Sequence, residues 1–240
     1  MTVRRLGAGA VVAALVLVAV GALAWWQADG RARAGQPVAS VAGATLDRVV
    51  TDPELETTLR RSVHLVRANG CGVERQASLS VIHGPRGEYG LTNQHVVAGT
   101  SDVVVDGSQI SVGVTGRVAA RDASRLDVDD LIEEGSVPLV EGARPAVGDR
   151  VVVAGYPGGR FEAMSGTVDS IELRQGYGGT SDVLVIGVQA VPGISGGIVV
   201  DAEGRAVGLV AARDPSTGEV VAYPLDELDG DVTDDAAPCT

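Results

Sequence analysis

The 240-residue chain contains no lysine, so all 19 of its basic residues are arginine, set against 31 acidic ones. The resulting formal charge of −12 excludes the basic stripe that binding to nucleic acid requires. Aromatic residues make up only 3% of the sequence, with a single Phe, while Gly occurs 33 times. A chain poor in large side chains and rich in Val and Gly favours short strands and tight turns over helices. Cysteine is scarce too, limited to Cys71 and Cys239. No Cys-x-x-Cys pair and no His-x₃-His spacing exists, so no metal site is expected.

One long apolar run is present. Leu6–Ala24 is uncharged over 19 residues, preceded by Arg4 and Arg5 and followed by Trp25 and Trp26. A helix of that length just spans a hydrocarbon core of about 30 Å, and the two tryptophans fit an interfacial belt. Residues 1–26 therefore read as one N-terminal transmembrane helix. The alternative is a cleaved signal peptide, since Ala22-Leu23-Ala24 fits a small-x-small cleavage pattern, although the run is longer than the usual apolar core of such peptides. In either case the rest of the chain is exported, where two lone cysteines can pair as Cys71–Cys239.

Residues 27–61 read as a linker ending in a short helix over Glu54–Arg61, with capping residues in Thr51-Asp52, Pro53 in the first turn and acids early in the helix. From residue 62 to 228 apolar runs such as Leu79–Ile82, Val151–Val153, Val183–Val188 and Ile198–Val200 alternate with Gly- and Asp-rich turns. Many short strands without intervening helices imply an all-β sandwich or barrel. Residues 229–240 form an acidic tail, expected to be loosely held apart from Cys239.

Gly193-Ile194-Ser195-Gly196-Gly197 is the most informative stretch. Flanking glycines let the backbone turn sharply, expose the hydroxyl and aim amides at a developing oxyanion. The same text satisfies the nucleophile elbow of α/β-hydrolases, but there the catalytic His follows the Ser. Here His64, His83 and His95 all precede Ser195, and the residues after it read as a β-hairpin, so the elbow and the esterase it would imply are set aside.

His95 lies in Thr92-Asn93-Gln94-His95-Val96-Val97. This motif and Gly-x-Ser-Gly-Gly, in that order, resemble bacterial chymotrypsin-fold serine peptidases of the high-temperature-requirement type and their membrane-anchored actinobacterial relatives. Val147–Val151 leading to Gly155-Tyr156-Pro157-Gly158, Ser165–Val168 and Ala222–Leu228 continue the likeness, which spans about Val63 to Leu228. The resemblance implies two antiparallel six-stranded β-barrels, at about 62–140 and 147–228. It also implies an endopeptidase acting on a protein or peptide substrate, with no cofactor, no metal and no nucleic acid. His95 would be the base, Ser195 the nucleophile, and the amides of Gly193 and Ser195 the oxyanion hole. Gln189 would sit by the primary specificity pocket and favour a small or medium uncharged P1 residue. For the orienting acid, Asp127 keeps the best register, with Asp122, Asp129 and Asp130 as alternatives. His64 and His83 match nothing in the pattern and read as structural.

The sequence departs from the family at Ala77-Ser78-Leu79-Ser80, Ile194 and Ile198, and Asp129 and Asp130 put charge where the aspartate strand is normally apolar. Those departures keep a second reading open, a catalytically silent binding module on the same scaffold.

Overall fold

The computed structural model describes residues 52–176, 179–230 and 232–233. Leu6–Ala24 and Cys239 lie outside these residues; among the described ones no helix is long and apolar enough to cross a membrane. The first described element is helix α1 (Pro53–Ser62). Asp52 caps it, its Oδ1 accepting from the amides of Glu54 at 2.8 Å and Leu55 at 3.4 Å. Early Glu54 and Glu56 and late Arg60 and Arg61 complement the helix dipole. Leu59 is fully buried, so this helix is packed into the domain and does not behave as a linker.

Fourteen strands follow among the described residues. They are β1 (Val63–Gly70), β2 (Val73–Gly84), β3 (Gly87–Thr92), β4 (Asp102–Val105), β5 (Val114–Val118), β6 (Ser124–Leu126) and β7 (Leu139–Val140). Then come β8 (Arg150–Gly155), β9 (Glu162–Gly176), β10 (Gly179–Gln189), β11 (Ile198–Val200), β12 (Ala206–Arg213), β13 (Glu219–Pro224) and β14 (Val232–Thr233). Strands β8–β13 close into a six-stranded barrel in the order β10-β13-β12-β11-β8-β9. Val, Ile and Leu from all six fill it, with Val153, Val168, Leu184, Ile186, Val199 and Val210 among the buried residues.

The other half differs from the expected six-stranded barrel. It is an eight-stranded sheet, ordered β14-β5-β6-β3-β2-β1-β4, with β7 added in parallel to β2. The turn after β4 uses Gly107 and Gln109 at positive φ, and the returning segment meets β4 in one isolated bridge, Val104↔Ser111, flanked by the bonds Val105 N to Ile110 O and Val112 N to Val103 O, both 2.8 Å. At the other end the acidic tail is not loose where it can be seen: Val232 and Thr233 pair with Val118 and Arg117 of β5.

Two short helices matter for the site. α2 (Gln94–Val97) follows β3 directly and carries His95, and α3 (Asp129–Glu133) follows β6.

Candidate active site

β3 and β6 pair antiparallel, with Thr92 opposite Ser124 and Leu91 opposite Arg125. Continuing that register past the strand ends brings Asp122 alongside Gln94 and His95. The geometry follows: Asp122 Oδ1 accepts from the His95 amide at 2.8 Å, and Oδ2 lies 2.6 Å from His95 Nδ1. A carboxylate can only accept, so Nδ1 donates, and in the neutral ring the lone pair is then on Nε2. Asp122 is 2% exposed, and its carbonyl accepts from Asn93 Nδ2 at 2.8 Å. Arg75 Nη1 donates to the carbonyls of Val96 at 3.3 Å and Ala98 at 2.6 Å, pinning the far end of α2.

Asp127 is therefore not the residue that meets His95. It lies five residues beyond Asp122, on the order of 16 Å along an extended chain. Its amide donates to Gly113 O, and its Oδ1 accepts from the Asp129 amide at 3.1 Å at the start of α3. Asp129 and Asp130 are exposed in the first turn of that helix, where the dipole favours acids, and they load no strand interior.

Ser195 is presented by the turn between β10 and β11 and is partly exposed. That turn is bolted to the other half of the fold by β2. The Ser78 amide donates to Ser195 O at 2.8 Å, Ser78 Oγ donates to Gly193 O at 3.0 Å, and Ser80 Oγ donates to Gly196 O at 3.0 Å. Ser78 Oγ also accepts from the Tyr156 amide at 2.9 Å, and Ser78 O accepts from Thr92 Oγ1 at 2.7 Å. One residue of β2 thus links the serine turn, the Tyr156 loop and the strand that leads to His95. Neither Ser78 nor Ser80 was picked out from sequence as a site residue. Their signal is two hydroxyls on one face of the otherwise apolar stretch Ala77–Ile82, both fully buried here.

Gly193 and Gly196 both have positive φ, at 96° and 80°. The amides of Gly193 and Ser195 donate to no partner among the described residues, which leaves two adjacent donors at the serine. Ile198 and the strand after the serine run into the β11–β12 hairpin, as expected, and no helix follows.

Gln189 is the last residue of β10, cross-strand from Glu219 and exposed. Its Nε2 donates to Thr217 O at 3.4 Å. A Cβ built at Gly218 would lie 2.8 Å from Gln189 Oε1 and 2.9 Å from Arg213 Nη2, so amide and guanidinium converge on that turn. Cys71 occupies the two-residue β1–β2 turn, at φ 50°, and no cysteine among the described residues is a free thiol. His64 and His83 lie elsewhere, against Ser136 Oγ at 2.8 Å and Glu88 Oε1 at 2.9 Å. No group of three or more metal-ligating side chains occurs among the described residues.

A closed barrel and a second antiparallel sheet, joined where Ser78 and Ser80 of β2 meet the glycine-flanked serine turn, make a chymotrypsin-like fold. The family model described as Trypsin-like peptidase domain matches residues 80–209, more than half of the chain, and the chain belongs to that family. Serine protease Rv3671c of Mycobacterium tuberculosis is 35% identical over 145 residues, covering 55% of this chain and 36% of that protein. A Rhizobium meliloti relative, named a probable periplasmic serine endoprotease DegP-like, is 31% identical over 137 residues, covering 55% of this chain and 27% of its own. The chain thus spans only about a quarter to a third of the length of these curated relatives. The crystal structure of Rv3671c protease in its active form superposes with a TM-score of 0.64 at 27% identity, covering 87% of this chain and 98% of that one.

Proposed function

We propose that the protein is a serine endopeptidase in which Asp122, His95 and Ser195 form the triad. The observation that carries this reading is the double hold of Asp122 on the His95 amide and Nδ1, which aims the opposite ring nitrogen as a base. Ser195 Oγ attacks the scissile carbonyl while His95 Nε2 takes its proton. The proton then passes to the leaving amine, and water hydrolyses the acyl-enzyme by the same steps. The Gly193 and Ser195 amides bind the oxyanion of each tetrahedral intermediate. Gln189 is neutral, and the charges beside it, Arg213 and Glu219, offset one another, which favours a small or medium uncharged P1 side chain.

The domain acts outside the cytoplasm, held by Leu6–Ala24 as a single-pass anchor. The length of that run and the periplasmic relative support this, and N-terminal sequencing of the membrane-bound product tests it: a soluble chain beginning at Trp25 would show a cleaved signal instead. The activity itself is tested with a fluorophosphonate, which modifies only an activated serine. The wild type should be labelled, and Ser195→Ala and His95→Ala should not. Equal labelling of wild type and Ser195→Ala would leave a binding module.

A further inference from the structure

The turn that carries Asp122 belongs to the first sheet, yet it is fastened from the second barrel. Arg121, its neighbour, donates from Nη2 to Glu227 Oε2 at 2.6 Å, and the two side chains are only 16% and 20% exposed. Glu227 sits on the 3-10 turn Leu225–Leu228 that follows β13. Its other oxygen accepts from Arg144 Nη2 at 2.9 Å, in the connection between the halves. Arg144 also reaches Asp226 at 2.8 Å and Asp182 of β10 at 2.5 Å. Burial opposes ionisation of Glu227, but its hydrogen bonds from Arg121 and Arg144 outweigh it and hold the carboxyl below the usual range.

Further ties act on the same turn. Arg125 Nη2 donates to Leu228 O at 3.2 Å. Ala120 takes a left-handed φ of 57°, its carbonyl accepts from Arg121 Nη1 at 2.9 Å, and Gly179 of β10 comes so close to it that a Cβ there would lie 2.8 Å from Ala120 Cβ. Exposed ion pairs contribute little to stability, but this one is largely buried, and Arg121 is fixed at both terminal nitrogens, Nη1 to a backbone carbonyl and Nη2 to a carboxylate.

We propose that the Arg121–Glu227 pair is a positioning clasp that holds Asp122 in register with His95, so that the barrel carrying the serine also sets the orientation of its base. This rests on Asp122, His95 and Ser195 being the triad. A misplacement of about 1 Å in such a constellation can cost up to roughly a hundredfold in rate without touching substrate binding.

The test compares the full chain with Arg121→Gln, which breaks the clasp but leaves the Arg144 contacts, with Glu227→Gln, and with the double variant. Fluorophosphonate inactivation is separated into the maximal rate kinact and the binding constant KI, and the low-field proton resonance of the His95–Asp122 hydrogen bond is followed by NMR. The expected result is a fall in kinact of roughly ten- to a hundredfold for each single variant, with KI within about twofold. The double variant should be no slower than the worse single one, as expected for two residues acting as one unit. The proton signal should move or broaden in all three. Unchanged kinact and an unmoved proton signal in Arg121→Gln would overturn the clasp. So would loss of the folded state in Arg121→Gln at the assay temperature, which would make the pair structural. A wild type that resists the phosphonate as Ser195→Ala does would defeat the peptidase reading separately, and the proton signal would still report on the clasp.

Discussion

Asp122 and Asp127 differ by five positions, and that difference is decided by an arginine. Ser124-Arg125-Leu126 has a charged residue where an apolar one is expected, so the strand after Asp122 does not look like a strand in the sequence. In the fold, Arg125 lies over the Tyr89 ring, 4.5 Å from its centroid, which lets its side chain occupy an inner position. The motif serine and histidine were legible because glycines and the Thr-Asn-x-His text are local signals. The acid was not, because its register depends on a partner strand thirty residues away. Asp122→Asn should lower the phosphonate inactivation rate by roughly 10⁴, the loss typical when the orienting acid of such a triad is replaced. Asp127→Asn should react at close to the wild-type rate, with at most a small drop in melting temperature from the lost α3 contact. Reversed outcomes for the two variants would return the acid to Asp127.

A second residue gives a pH dependence. Burial pushes the His64 imidazole below its ordinary value of 6.5. The unfolded chain then binds a proton more readily than the folded one, so the His64 contribution to stability is present above about pH 6.5 and is lost as pH falls through the lower folded value. Melting temperature should decline between pH 7 and 5, and His64→Gln should flatten that decline. An identical pH profile in the variant would remove His64 as the cause.

Among the elements, α1 is legible from the capping residues Thr51-Asp52, from Pro53 and from the early acids, which are all short-range signals. The junction between the halves was not, because it is built from hydroxyls whose partners lie more than a hundred residues away. Ser78 and Ser80 on β2 hold the serine turn, and Gly196 lets the two backbones touch. A Cβ at Gly196 would overlap both Ser78 O and Thr92 Oγ1, at a φ of 80° that side chains rarely adopt. Gly196→Ala should therefore destabilise the domain by about 2 kcal/mol or more, from overpacking and left-handed strain together. It should also slow phosphonate labelling, because the turn must move to relieve the clash. Gly99→Ala is the control: its φ of 69° is also positive, but no atom lies within 4 Å of the added carbon. A melting temperature for Gly196→Ala no lower than for Gly99→Ala would show that the close approach is not rigid.

At the scale of the whole molecule, the sequence led to two equal barrels, and only the second closes. What it could not show is that Val232 and Thr233 return to the first sheet after the second barrel, because they are two residues in an acidic stretch with no strand pattern of their own. Their pairing with β5 is nonetheless specific, since Gly116 leaves the room that Val232 fills. This return bears on the two cysteines. Cys71 lies at the tip of the β1–β2 hairpin of the same sheet, and from Thr233 to Cys239 there are six residue steps, a reach of roughly 20 Å. We predict a Cys71–Cys239 disulfide that closes a loop of more than half the chain. The chain-entropy model gives such a loop about 5 kcal/mol, reduced by any strain in the folded state. The full chain alkylated under denaturing conditions without reductant should gain no alkyl groups, and two after reduction. Reduced protein should melt several degrees lower, with β5 and β14 losing amide protection before the six-stranded barrel does. Two alkyl groups without reductant would rule the bond out and leave β14 held by its strand pairing alone.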